Sequence, residues 1–188
     1  MIYNPKEIKT KDGRKVILRN AQVEDSPNLV DYLKRIATES RNLTNEPEEV
    51  TITLEQEEKF IAAKMESERE LMLIGEIVDE KGNVRHVGNC SLMSMGNKKR
   101  VLHRCGIAIA LYKEFCGLGI GRQMLDVVLE VAKELGYEQA ELEVVTTNMV
   151  ALKLYENVGS EIYGERKNDM KYKDGTYANL YMMSKQLL

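Results

Sequence analysis

The chain is poor in cysteine, with Cys90, Cys105 and Cys116 the only three among 188 residues. An odd number at wide spacing excludes a disulfide framework and suits reduced thiols in the cytoplasm. Histidine is scarcer still, at His86 and His103 alone, and neither joins the cysteines at metal-ligand spacing, so no metal is expected. No apolar run approaches the ~18 residues of a membrane span. The N-terminal stretch lacks an apolar signal-peptide core. A cytoplasmic location with no membrane partner is therefore expected. Neither sign of charge dominates: 27 Lys and Arg stand against 30 Asp and Glu, a net charge of −3. That balance leaves no global field to attract nucleic acid. Internal repeats, low-complexity segments and linkers are also missing.

What is present fits one domain spanning residues 1–188, with 43% hydrophobic residues and enough length to bury a core without cross-links. Lys15–Arg19 reads as a first strand. Asp25-Ser26-Pro27 opens a helix with the apolar stripe Leu29, Val30, Leu33, Ile36 and Ala37. Thr53-Leu54-Glu55-Gln56 has the form of a capping box for a second helix running to about Ser67. Nine glutamates lie between Glu46 and Glu70, either a solvated helix face or an acidic rim that attracts a cationic amine. Strands are predicted over 70–78, 84–95 and 101–111, the first two joined by a turn at Asp79–Asn83. A helix ending at Gly136 follows, then an alternating strand from Gln139 to Thr146. Asn148 is placed to cap a last helix carrying Ala151, Leu154, Tyr155 and Val158, and strands near 161–166 and 177–185 complete the chain.

The centre of this arrangement is Phe115-Cys116-Gly117-Leu118-Gly119-Ile120-Gly121-Arg122, where the apolar strand Gly106–Leu111 hands over to a helix. Glycine permits φ > 0 and removes the Cβ, so successive N–H groups can converge on one point. A helix N-terminus adds unsatisfied N–H groups and a positive dipole end, which together suit a phosphate. The spacing lacks the Lys-Ser/Thr of a Walker loop and does not match the dinucleotide fingerprint. Alone, it is equally compatible with a glycine-rich turn that holds nothing.

Two motifs in order decide the direction. Ile109-Ala110-Leu111 followed by Cys116-Gly117-Leu118-Gly119-Ile120-Gly121 resembles motif A of the GNAT superfamily of acyl-CoA-dependent N-acyltransferases. Leu142-Glu143-Val144, then Asn148-x-x-Ala151-x-x-Leu154-Tyr155-Glu156-x-x-Gly159, resembles motif B. Cys116 stands where the family has Arg or Gln, and Ser160 where it usually has Phe. The resemblance implies a mixed α/β fold: a mostly antiparallel central sheet, helices on both faces, and a splayed parallel strand pair holding the cofactor arm. It implies acetyl-CoA as acyl donor, bound by Ile109, Ala110 and Leu111, by Cys116 to Arg122, and by Asn148 and Tyr155. It implies Tyr155 as general acid for the departing thiolate and Glu143 as a base. His103 is a second candidate base on its ordinary pKa, and a solvent relay needs neither.

The chain has no nucleophile motif, so direct attack by a primary amine in a ternary complex is the expected route. The acceptor is a small molecule or a peptide, and a homodimer is left open. A non-catalytic acyl-CoA sensor and a nucleotide-binding module unrelated to CoA are the rival readings.

Overall fold

The computed structural model describes residues 1–79 and 82–188. Its strands are β1 (Lys6–Lys9), β2 (Lys15–Asn20), β3 (Leu71–Val78), β4 (Val84–Ser94), β5 (Arg104–Leu111), β6 (Gln139–Val145), β7 (Glu161–Lys171) and β8 (Tyr177–Gln186). Its helices are α1 (Ser26–Glu39), α2 (Leu54–Glu66), α3 (Ile120–Glu134) and α4 (Met149–Asn157). The strands form one sheet in the order β1-β2-β3-β4-β5-β6-β8-β7. Every neighbouring pair is antiparallel except β5 and β6. The predicted mixed sheet with helices on both faces is therefore what the chain forms.

Four local expectations change. Strand β1 is absent from the sequence reading, because Lys-Glu-Ile-Lys offers one apolar residue and no alternation to detect; Ile8 alone points inward. Strand β5 starts at Arg104 rather than Val101, since 101–103 form a turn. Strand β7 runs on to Lys171 because β8 continues beside it as far as Tyr177. On α1, Tyr32 is buried with Leu29, Ile36 and Ala37, so the packed stripe is centred one residue away from the Val30 and Leu33 edge. In the turn joining β3 to β4, Glu80 and Lys81 lie outside the described residues.

The local signals work as their chemistry requires. Thr53 accepts the Gln56 amide at 3.2 Å while Gln56 Oε1 accepts the Thr53 amide at 2.9 Å, satisfying two donors at the start of α2. Asn148 Oδ1 accepts the Ala151 amide at 3.3 Å at the start of α4.

Directly opposed residues in a sheet share a face. Cys90, Ile109 and Leu92, Ile107 are such pairs, and α3 and α4 cover their face. A Cβ built on Gly121 of α3 would lie 3.4 Å from Leu111, 3.4 Å from Leu154 of α4 and 3.6 Å from Ile109. Ile74, Asn89 and Ala110 occupy the other face, under α1. There Tyr32 of α1 donates its hydroxyl proton to the Ala110 carbonyl at 2.8 Å. One apolar cluster runs through both layers, from Val16, Leu18 and Ile61 to Met124, Val128, Leu142 and Tyr155.

Candidate active site

The parallel pair is short. Arg104, Cys105 and Gly106 align with Gln139, Ala140 and Glu141, and the pairing stops there. Strand β5 continues to Leu111 against β4, and β6 continues to Val145 against β8. The edges of Ile107–Leu111 and Leu142–Val145 that face each other therefore carry no ladder. The strands part into a gap that opens towards their C-terminal ends, as the splayed pair was expected to do. Tyr112 donates its amide to Val87 at 3.1 Å, and Ala110 offers its carbonyl to Tyr32, both on the β4 side. Because N–H and C=O groups alternate between the two edges of a strand, Ile109 and Leu111 turn theirs towards the gap. Ala110, grouped with them in the sequence reading, faces the other way.

Strand β4 must lie very close to the end of β5 at this level. Gly88 has φ of +152°, and a Cβ there would come within 2.4 Å of the Ala110 oxygen. Only glycine fits that approach.

The glycine loop closes the open end of the gap. Gly117 and Gly119 take φ of +79° and +83°, and Gly119 is the residue before α3. The first intrahelical bond is Gln123 N–H to the Gly119 carbonyl at 3.4 Å. Among the described residues, no acceptor meets the amides of Gly117 through Arg122. The loop therefore presents consecutive free N–H groups at the positive end of a four-turn helix. This donor set fits a pyrophosphate, and the unpaired strand edges beside it fit an extended amide-bearing arm. Cys116 is exposed, its thiol 3.6 Å from the Tyr112 carbonyl, and burial on one side raises its pKa, which keeps it protonated. Arg122 is drawn off the loop by Asp126 at 2.9 Å and by the Asn157 carbonyl at 2.9 Å.

The remaining candidates divide by position. Tyr155, 6% exposed, packs on the α3–α4 side near Cys90, and burial pushes its phenol pKa well above the usual value. Among the described residues its hydroxyl has no hydrogen-bond partner. Asn148 sits where β6 passes into α4, and its capping bond uses only Oδ1. Glu143 is exposed on the α1 face of β6, where Arg166 of β7 grips it through two bonds of 2.7 and 2.6 Å. That ion pair was not foreseen, since nothing in the alternation of β6 announces its neighbour across β8. His103 lies at the opposite end of β5 from the glycine loop, in the turn where the parallel pair is closed. Its carbonyl accepts the Glu138 and Gln139 amides at 2.8 and 3.2 Å.

A bridge crosses the open end of the gap on the α1 face. Glu39, at the end of α1, accepts the Lys113 amide at 2.8 Å just beyond β5. From there the connection to α2 reaches the β7–β8 turn, which lies beyond β6. Arg41 stacks 4.2 Å from the Tyr172 ring centre and bonds Asp174 at 2.9 Å, and Glu48 pairs with Lys173. The acidic rim on α2 is thinner than its sequence suggests. Glu57 is buried, which raises its carboxyl pKa, and Glu55 is paired with Lys59 at 2.6 Å.

A family model for the acetyltransferase (GNAT) family matches residues 28–159, well over half of the chain. The chain belongs to the GNAT acetyltransferase family. No curated protein matches the sequence. Solved structures agree with the GNAT fold. A GNAT-family acetyltransferase from Streptococcus pneumoniae is 24% identical with a TM-score of 0.83, covering 91% of this chain and 99% of that one. A ribosomal-protein-alanine N-acetyltransferase from Brucella melitensis is 21% identical with a TM-score of 0.75, covering 90% and 98%. A GNAT phosphinothricin acetyltransferase from Sinorhizobium meliloti, solved in complex with acetyl-CoA, is 17% identical with a TM-score of 0.76, covering 91% and 88%. For this GNAT chain these likenesses establish the fold, and the family makes it an acyltransferase. Among its described residues, no helix is long and apolar enough to cross a membrane.

Proposed function

We propose that this protein is an acetyl-CoA-dependent N-acetyltransferase in which a primary amine attacks the thioester directly. The observation that carries the reading is the coincidence at one place of the gap between β5 and β6 and the free amides of the 117–122 loop. Acetyl-CoA supplies an activated acetyl group and a thiolate leaving group. The loop amides hold its pyrophosphate. The gap-facing amides of Ile109 and Leu111 hold its arm and polarise the carbonyl, whose developing negative charge they stabilise. Asn148 keeps Nδ2 available as a donor to the same arm.

Tyr155 delivers a proton to the departing sulfur. A phenol whose burial disfavours ionisation stays protonated over the working pH range and is ready to donate. On the acceptor side, Arg166 holds both carboxylate oxygens of Glu143, at 2.7 and 2.6 Å. Both oxygens are occupied by that ion pair, so the amine proton leaves through solvent on the open α1 face. His103, at the closed end, takes no part. The acceptor enters from the α1 face, below the bridge formed by residues 40–53 and the β7–β8 turn. It is a small-molecule or peptide amine, and a cytoplasmic location belongs to the same reading.

Two measurements test this. Calorimetry with CoA asks whether the cradle binds, and free-thiol release from acetyl-CoA across a panel of amines asks whether it catalyses. Binding with no thiol release from any amine would leave a sensor module. No binding of CoA would remove the reading altogether.

A further inference from the structure

We propose that Lys11, carried by the turn between β1 and β2, is a phosphate ligand whose ammonium group neutralises the pyrophosphate held by the 117–122 loop. The inference rests on the acetyl-CoA reading above and adds to it a residue far from either motif in sequence.

The turn is docked on the glycine loop. Lys11 donates its amide to the Leu118 carbonyl at 2.9 Å, and Gln123 Nε2 donates to the Lys9 carbonyl at 2.9 Å. The turn is also braced internally, with the Thr10 amide and hydroxyl on the Arg14 carbonyl at 2.9 and 3.0 Å. This places the Lys11 stem across Gly119: a Cβ built there would lie 3.4 Å from Cγ and 3.6 Å from Cε of Lys11. The side chain is exposed, and among the described residues its ammonium group has no ion-pair partner.

Three other charges near the loop are committed elsewhere. Asp12 is neutralised by Arg14 at 2.6 Å, and Glu114 is shared by Arg35 and Arg85 at 2.9 and 2.8 Å. Arg122 is turned to Asp126 and Asn157. Residues 116–121 contain no basic side chain. Among the described residues Lys11 is thus a cation without an ion-pair partner whose stem lies over a row of unsatisfied amides that suit an anion. Two negative charges on a pyrophosphate exceed what neutral N–H groups compensate, and a lysine above them supplies the balance as a point charge. This gives strand β1 a purpose: its four residues pair with β2 and set the turn at the height of the loop.

The test is calorimetry on the full chain with CoA and with dephospho-CoA, which lacks the 3′-phosphate but keeps the pyrophosphate. Lys11→Met keeps the stem and removes the charge, and Lys11→Arg keeps the charge. We expect Lys11→Met to weaken both ligands about 5- to 20-fold and to flatten the salt dependence of binding, with Lys11→Arg within about threefold of wild type. Equal binding of CoA by wild type and Lys11→Met would overturn the assignment. A loss seen with CoA and absent with dephospho-CoA would overturn it too, by moving the contact to the 3′-phosphate. If the wild-type protein bound neither ligand, the acetyl-CoA reading itself would fail, which is a separate outcome.

Discussion

Replacing Tyr155 with Phe separates a catalytic phenol from a core ring. The ring is 6% exposed and packs into the main cluster with Leu152 and Val158, so the variant keeps its packing. Since no protein group bonds the hydroxyl among the described residues, removing it breaks nothing in the fold, and the cost to stability stays below about 0.5 kcal/mol. For a chain of this size about 1 kcal/mol moves Tm by roughly 2–4 °C, so a shift under about 2 °C is expected. The effect on catalysis is larger. Proton donation to a leaving group acts only as the carbon–sulfur bond weakens, and so it appears in kcat. General acids contribute about 10²–10⁴-fold, but a thiolate is a good leaving group, which places the loss near the lower end: roughly 10–100-fold in kcat, or about 1.4–2.7 kcal/mol.

The assay is thiol release at saturating acetyl-CoA with an amine from the panel, paired with single-turnover measurements so that chemistry is observed. Affinity for CoA is expected to change by less than about threefold, because the lost group acts on the sulfur only as it departs. Burial raises the phenol pKa, so the wild-type profile should show no alkaline loss from this group below about pH 10. Wild-type kcat in the variant under chemistry-limited conditions would refute the role. A Tm drop beyond about 4 °C would show instead that the hydroxyl serves the fold.

Gly119→Asp places a negative charge under Lys11 and forces an L-residue to φ of +83°; CoA affinity is expected to fall at least tenfold, about 1.4 kcal/mol, with circular dichroism unchanged. Gly88→Ala puts a methyl group 2.4 Å from the Ala110 oxygen, so β4 and β5 must separate; loss of several degrees in Tm is expected together with weaker binding of the arm, read by thermal shift and calorimetry. His86 is held at a pKa of about 4 by burial, below its ordinary 6.5. The folded state thus keeps it neutral while the unfolded chain takes up a proton. Stability is complete above about pH 6.5 and declines as pH falls towards 4, by at most about 3 kcal/mol. His86→Phe keeps a ring beside Tyr32, which packs edge-on at 4.7 Å, and should flatten that decline in urea midpoints measured at pH 7.5 and pH 5. An unchanged acid limb would assign it to the carboxylates instead.

Much of this protein is determined locally. The capping box at Thr53, the cap at Asn148 and the positive-φ glycines at 117 and 119 act within a few residues of themselves, so they can be read from spacing. The same holds for the order of elements after β1 and for the hand-over from β5 through the loop to α3, because apolar periodicity records which side of each element is buried. Two motifs in sequence were enough to name the family. Tertiary structure decided what depends on neighbours distant along the chain. Lys-Glu-Ile-Lys becomes a strand only because β2 pairs with it, and the turn it completes brings Lys11 to Gly119. Arg166 reaches Glu143 across β8, and His103, adjacent to β5 in sequence, falls at the closed end of a gap that opens the other way. Tyr32 finds the Ala110 carbonyl from a helix some 80 residues earlier, and Glu57 is buried in a segment that reads as a solvated face or an acidic rim. Periodicity records that a side chain is buried; which group it meets is set by strand register and packing, and those exist only once the sheet has formed.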